Sequence, residues 1–145
     1  MEQKLSSRLR NIIDLLPIRP GMRILEIGCG PGAAAREVAK RLGTGKILAI
    51  DRSRSAIDKA IKTSKSEIDS KVLTYRVTAI EDFELQKGES PFDLAFAVRV
   101  GALDGRHPEI EQQALTKIAK ALTKEGTLFI DYGKGIKEIL LDRYR

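Results

Sequence analysis

Cysteine, tryptophan and histidine are almost missing from these 145 residues: one Cys, no Trp and one His. A single cysteine excludes an internal disulfide. One Cys with one His makes no zinc site. The aromatic share is 5%, which is thin for base-stacking platforms. No apolar run approaches the ~20 residues that a membrane-spanning helix requires. The opening Met1-Glu2-Gln3-Lys4-Leu5 holds no apolar signal core, so the cytoplasm is the expected compartment.

What is present suits one soluble α/β domain, expected over residues 1–145. The chain is 42% hydrophobic and 32% charged. A chain of this length buries roughly two thirds of its unfolded surface, enough for a real core. The net charge is +6. The basic residues are spread along the chain and interleaved with acids, as with Arg52, Arg54, Lys59, Lys62 and Lys65 beside Asp58 and Glu67. That pattern reads as a solvated basic surface. Nucleic acid is compatible with the charge but is not the favoured partner.

The chain is organised around Arg23-Ile24-Leu25-Glu26-Ile27-Gly28-Cys29-Gly30-Pro31-Gly32. An apolar run of this kind predicts a buried parallel strand. It stops at three glycines on alternate positions. Ala34, Ala35, Val38, Ala39 and Leu42 then recur at helical spacing. Strand, glycine turn and helix in that order leave bare main chain at a helix N-terminus, where backbone amides can meet a ligand. In open α/β sheets ligands sit outside the carboxyl ends of the strands.

Gly28-x-Gly30-x-x-Ala33 also fits a dinucleotide fingerprint. Glu26 and Pro31 pull away from that reading. A carboxylate at the mouth of the turn repels a pyrophosphate, and proline removes an N–H that would cradle phosphate. Asp51 ends the second strand, Lys46 to Asp51, where an acid can bind ribose hydroxyls; it fits either ligand.

The remaining elements follow from periodicity. Glu2 to Leu16 predicts an amphipathic helix with Leu5, Leu9, Ile12, Ile13 and Leu16 on one stripe. Ser53 is an expected N-cap for a helix carrying Ala56, Ile57, Ala60 and Ile61. That helix is expected to fade in the polar 63–70 segment. Strand three is expected at Val72 to Val77. An acidic loop follows, with Phe83 as a core plug. Strand four is Phe92 to Val98. Pro108 begins a helix carrying Ile110, Ala114, Leu115, Ile118, Ala119 and Leu122. Lys124-Glu125-Gly126 reads as the turn into strand five, Thr127 to Tyr132. A short amphipathic tail, Ile136 to Leu141, ends the chain. Five strands alternating with helices imply right-handed crossovers and a mostly parallel sheet.

Glu-x-Gly-x-Gly-Pro-Gly after a strand, with an acid at the tip of the next, resembles the class I S-adenosylmethionine-dependent methyltransferases. The resemblance implies a Rossmann-like three-layer fold of about five strands in the order 3-2-1-4-5, with an N-terminal helix. It implies S-adenosylmethionine as cofactor and S-adenosylhomocysteine as product. Glu26, Gly28, Cys29, Gly30 and Gly32 would line the methionine part. Asp51 would take both ribose hydroxyls, with Arg52 beside it. Ala79 and Ile80 would face adenine, and Val98 would close the floor at the tip of strand four. The family often has an acid just before that Ala; here the residue is Thr78, with Glu81 and Asp82 slightly later. Asp93 resembles the family's strand-four acid, which has a structural role.

The chemistry so implied is an in-line displacement of a methyl group. Orientation and field do most of that work, so motifs announce the cofactor better than the acceptor. A small molecule is the expected acceptor. Arg99, Asp104, Arg106 and His107 follow strand four and are the candidates around the substrate; Arg99 suits either an anionic substrate or the cofactor's own carboxylate. His107 is a potential base near neutral pH. Cys29 reads as a small packing residue. Two other functions fit the same turn: a module that binds S-adenosylmethionine or S-adenosylhomocysteine without catalysis, and a dinucleotide-binding oxidoreductase domain. The two strands that the family normally adds beyond the fifth, and its frequent substrate-binding insertion, are expected to be absent here. An uncovered strand five would be an edge with unpaired backbone groups. The tail 135–145 or a second subunit is expected to cover it.

Overall fold

The computed structural model describes residues 5–145. The start of the expected first helix, Glu2 to Lys4, lies outside them. The helix α1 spans Ser7–Leu15, and the Ser6 hydroxyl caps it by accepting the Leu9 N–H at 3.1 Å. The strand β1 is Arg23–Ile27, the helix α2 Ala33–Arg41, and the strand β2 Lys46–Asp51. The helix α3 is Arg54–Thr63, and the Ser53 hydroxyl takes the Ala56 N–H at 3.1 Å, as an N-cap should. A five-residue helix α4, Lys65–Asp69, follows where the sequence is polar but for Ile68. The strand β3 is Leu73–Val77, and a turn of 3₁₀ helix covers Ile80–Asp82. The strand β4 is Phe92–Val98, the helix α5 Pro108–Ala121, and the strand β5 Leu122–Asp131.

The sheet order is β3-β2-β1-β4-β5, parallel throughout, extended by a sixth strand beyond β5. That strand, β6, is Ile136–Ile139 and runs antiparallel to β5, from Asp131↔Ile136 to Leu128↔Ile139. This corrects one expectation, that no strand follows the fifth. The tail therefore covers the edge of β5. The new edge carries exposed Lys137 and Glu138, charges that discourage further pairing.

The expected turn at 124–126 lies inside β5. Phe92 faces Leu122 and the next pair is Leu94 with Thr127, so residues 123–126 bulge from the ladder. Arg145 holds the bulge by donating to the Thr123 carbonyl at 3.1 Å and the Gly126 carbonyl at 2.9 Å.

Alternate residues of each central strand feed two cores. Ile24, Ile47 and Leu94 meet α1, α2 and α3. Leu25, Leu48 and Ala95 meet α5 and the segment around Phe83. Both faces are covered, which is why these strands read as continuous apolar runs. Phe83 is 1% exposed and lies against Phe92 at 6.4 Å between ring centroids. Burying a side chain of this size stabilises the fold by roughly 1.5–3 kcal/mol. Asp93 is structural: it accepts the Arg23 N–H at 2.9 Å and ties the base of β4 to that of β1.

Candidate functional site

The glycine turn leaves β1 with Gly28, Gly30 and Gly32 all at positive φ (69°, 54° and 93°), angles that L side chains avoid. The three lack side chains for different reasons. A Cβ on Gly28 would sit 2.6 Å from Val100 Cγ2, so the loop after β4 folds directly onto the turn. A Cβ on Gly32 would sit 2.3 Å from Tyr75 Oη, so this glycine faces α3 and β3 behind the turn. A Cβ on Gly30 would meet nothing within 4 Å.

Asp51, at the tip of β2, fixes this geometry. One carboxylate oxygen accepts the Gly30 N–H at 2.9 Å and the other accepts the Ser53 N–H at 2.9 Å. Each oxygen keeps a second lone pair. Beneath the turn lies a buried polar cluster. Arg36, 3% exposed, donates to the Pro31 carbonyl at 3.0 Å, Thr63 Oγ1 at 2.7 Å and Ser64 Oγ at 3.2 Å. Ser64 Oγ shares a 2.8 Å hydrogen bond with Tyr75 Oη. Ser64 thus explains α4: the polar segment turns because a buried hydroxyl ties it to α2 and β3.

Glu26 belongs to this cluster. It is 3% exposed, and its Oε1 has no hydrogen-bond partner among the described residues. Burial pushes its carboxyl up to about 8, helped by the Asp51 charge and opposed by Arg36. Burial also pushes the Cys29 thiol up, with Glu26 and Asp51 adding to it. The thiol stays protonated and is no nucleophile.

A cavity of about 280 Å³ opens at the carboxyl ends of the strands. Asp51, Arg52, Thr78, Ala79 and Ile80 form one wall; Val100, Gly101, Ala102 and Ile110 form the other, with Gly28 between them. Of the residues expected to bind cofactor, Gly28, Asp51, Arg52, Ala79 and Ile80 line it. Glu26, Cys29, Gly30, Gly32 and Val98 are not on its wall; they shape or support the turn and the floor. Arg99, Arg106 and His107 line the mouth, while Asp104 stands behind and binds Arg106. The apolar contributions of Ile27, Ile50 and Val100 were not singled out from sequence. Their signal was available for the first two, because both end strands that point at the site.

The residues present suit a ribosylated purine with a cationic tail. There is an apolar slot, a strand-tip carboxylate with free lone pairs and, behind the cavity wall, a buried acid with one oxygen that lacks a donor. Among the described residues no group of three His, Cys, Asp or Glu is placed to hold a metal. No described helix is long and apolar enough to cross a membrane.

Residues 18–141 match the family model described as a methyltransferase domain. Phosphoethanolamine N-methyltransferase 2 of Caenorhabditis elegans is 31% identical over 121 residues, covering 83% of this chain and 26% of that protein. A probable cobalt-precorrin-6B C(15)-methyltransferase of Thermoplasma acidophilum is 32% identical over 95 residues, covering 63% of this chain and 46% of its own length. Phosphoethanolamine N-methyltransferase 2 of Haemonchus contortus, solved in complex with S-adenosyl-L-methionine, superposes with a TM-score of 0.70 at 25% identity, covering 85% of this chain and 27% of that one. The chain spans less than half the length of each of these three proteins.

Proposed function

The chain belongs to the class I S-adenosylmethionine-dependent methyltransferase family, and from that membership we propose that it binds S-adenosylmethionine in the cavity above Gly28 and transfers its methyl group to a small-molecule acceptor. The observation that carries this reading is Asp51. Its carboxylate stands at the lip of the cavity and at the same time clamps the turn through the Gly30 N–H at 2.9 Å. The cofactor supplies an electrophilic methyl group on a sulfonium centre when bound.

The protein's share is holding and shielding. Asp51 accepts ribose hydroxyls with its spare lone pairs. Ala79 and Ile80 give a purine an apolar face, with Ile110 opposite. Glu26 offers an oxygen without a donor, suited to a cation. Val100 lies on Gly28 and keeps water from the floor of the site. Thr78 gives that wall a hydroxyl where an acid is usual in the family, so its grip on a purine amino group is weaker. Residues 5–145 form one sheet with a helical layer on each face, which supports treating the chain as one methyltransferase-like domain.

Calorimetry with S-adenosylmethionine, S-adenosylhomocysteine and NAD tests the cofactor. Tight binding of NAD without the sulfur ligands would defeat the assignment. A methyl-transfer screen tests the enzyme. Cofactor binding without turnover on any acceptor class would leave a non-catalytic binding module.

A further inference from the structure

The wall of the cavity that follows β4 carries two arginines, Arg99 and Arg106, and no free carboxylate. Arg99 follows the last residue of β4 and lines the mouth. Its φ is +55°, an uncommon angle for a residue with a side chain. Two hydrogen bonds hold it there: its N–H donates to the Asp131 carbonyl at 2.9 Å, and Arg106 Nη2 donates to its carbonyl at 2.6 Å. Backbone strain gripped from both sides persists where the surroundings impose it and commonly marks functional positions.

The acids beside Arg99 and Arg106 are already engaged, while Asp51 and Glu81 stand on the cavity's other wall. Asp131 is ion-paired with Arg8 and also takes the Gly133 N–H at 3.0 Å. Asp104 takes Arg106 Nε at 2.8 Å. Glu109 faces His107 at 3.4 Å. The Arg99 guanidinium has no ion pair or hydrogen bond among the described residues. An exposed guanidinium without a hydrogen-bonded partner, at the mouth of a cavity that also carries Arg52, Arg106 and His107, is a fork for a planar or tetrahedral oxyanion. Arg106, fixed by its own bonds, places a second positive charge beside it.

We propose that the methyl acceptor is an anion, a small molecule whose carboxylate or phosphate is held by Arg99 with Arg106 alongside. The proposal rests on the cofactor assignment above, and the test separates the two. The protein loaded with S-adenosylhomocysteine is titrated with inorganic phosphate and, separately, with acetate, following the arginine side-chain resonances. At least one anion is expected to bind and shift the Arg99 signal. Whichever binds more tightly names the anionic group of the acceptor. Arg99→Gln should weaken that binding about tenfold or more. Arg99→Gly, which keeps the left-handed backbone without strain, should do the same. Arg54→Gln, on the outside of α3, should leave it unchanged.

No anion binding to the loaded wild type, or equal binding to Arg99→Gln, overturns the proposal. A matching tenfold loss of S-adenosylhomocysteine affinity in Arg99→Gln also overturns it, because Arg99 would then serve the cofactor's own carboxylate. A wild type that does not bind S-adenosylhomocysteine at all defeats the cofactor reading instead, and the proposal falls with its premise.

Discussion

Asp51 accepts the Gly30 N–H at 2.9 Å, so the tip of β2 and the turn after β1 are one rigid unit. The second oxygen of the same carboxylate caps the start of the next crossover at the Ser53 N–H. One side chain therefore sets the shape of the site and presents its charge. Asp51→Ala is expected to weaken S-adenosylhomocysteine binding by about 1–3 kcal/mol, the scale of hydrogen bonds to a charged group. Calorimetry reads it. Unchanged affinity would remove Asp51 from the ligand.

Glu26 gives a pH dependence whose sign is fixed by its environment. Burial pushes its carboxyl up to about 8 in the fold, from an ordinary 4.5. The folded state thus holds a proton that the unfolded state gives up, and the group's favourable share is fully present below about 4.5 and lost as pH rises through 8. Glu26→Gln should flatten this decline, leaving the variant more heat-stable than the wild type above pH 8. A cation bound beside Glu26 pulls its carboxyl down again, so binding of S-adenosylmethionine near neutral pH should release protons, visible as a buffer-dependent heat. S-adenosylhomocysteine keeps the ammonium of the tail but has an uncharged thioether sulfur, and should release fewer. Equal release by both ligands would place the sulfonium away from Glu26.

The glycines separate stability from binding. Gly32→Ala puts a methyl 2.3 Å from Tyr75 Oη in a left-handed backbone and is expected to cost about 2 kcal/mol or more of stability. Gly30→Ala meets no neighbour within 4 Å and should cost only about 1 kcal/mol, while its methyl stands over the open turn and impairs ligand binding. Denaturant unfolding and calorimetry, run on both, would show opposite rankings. A Gly30→Ala variant that binds normally would mean that the ligand does not touch the turn.

Arg8 and Asp131 tie α1 to the end of β5. The Asp131 side chain is fully buried and that of Arg8 is 51% exposed. Arg8→Ala strands a buried charge and should cost about 1–3 kcal/mol, reduced from the fully buried case by solvent at the arginine end. Adding Asp131→Asn removes the stranded charge and should restore part of the loss. A double variant less stable than Arg8→Ala alone would show that Asp131 acts independently of its partner.

The boundaries of β2 and β4 were legible in the sequence because both are apolar runs stopped by polar residues. The Ser53 cap and the glycine turn were legible because their residue types have few other uses. The β6 strand was not. Ile136 and Ile139 alone suit a helix or a strand, and only β5, reached by a chain reversal, selects the strand. The α4 helix has no apolar stripe to announce it; a buried Ser64 holds it. At the site, Asp51 and Gly28 could be read locally. Val100 against Gly28 could not, since that contact depends on how the loop after β4 returns to the turn.

Arg106 grips the main chain of position 99 and leaves its side chain alone. The curve of that loop is therefore held without engaging the Arg99 guanidinium. On the proposal that Arg99 holds the acceptor, a substitution there that tolerates the left-handed backbone would alter acceptor choice while the cofactor end stays as it is.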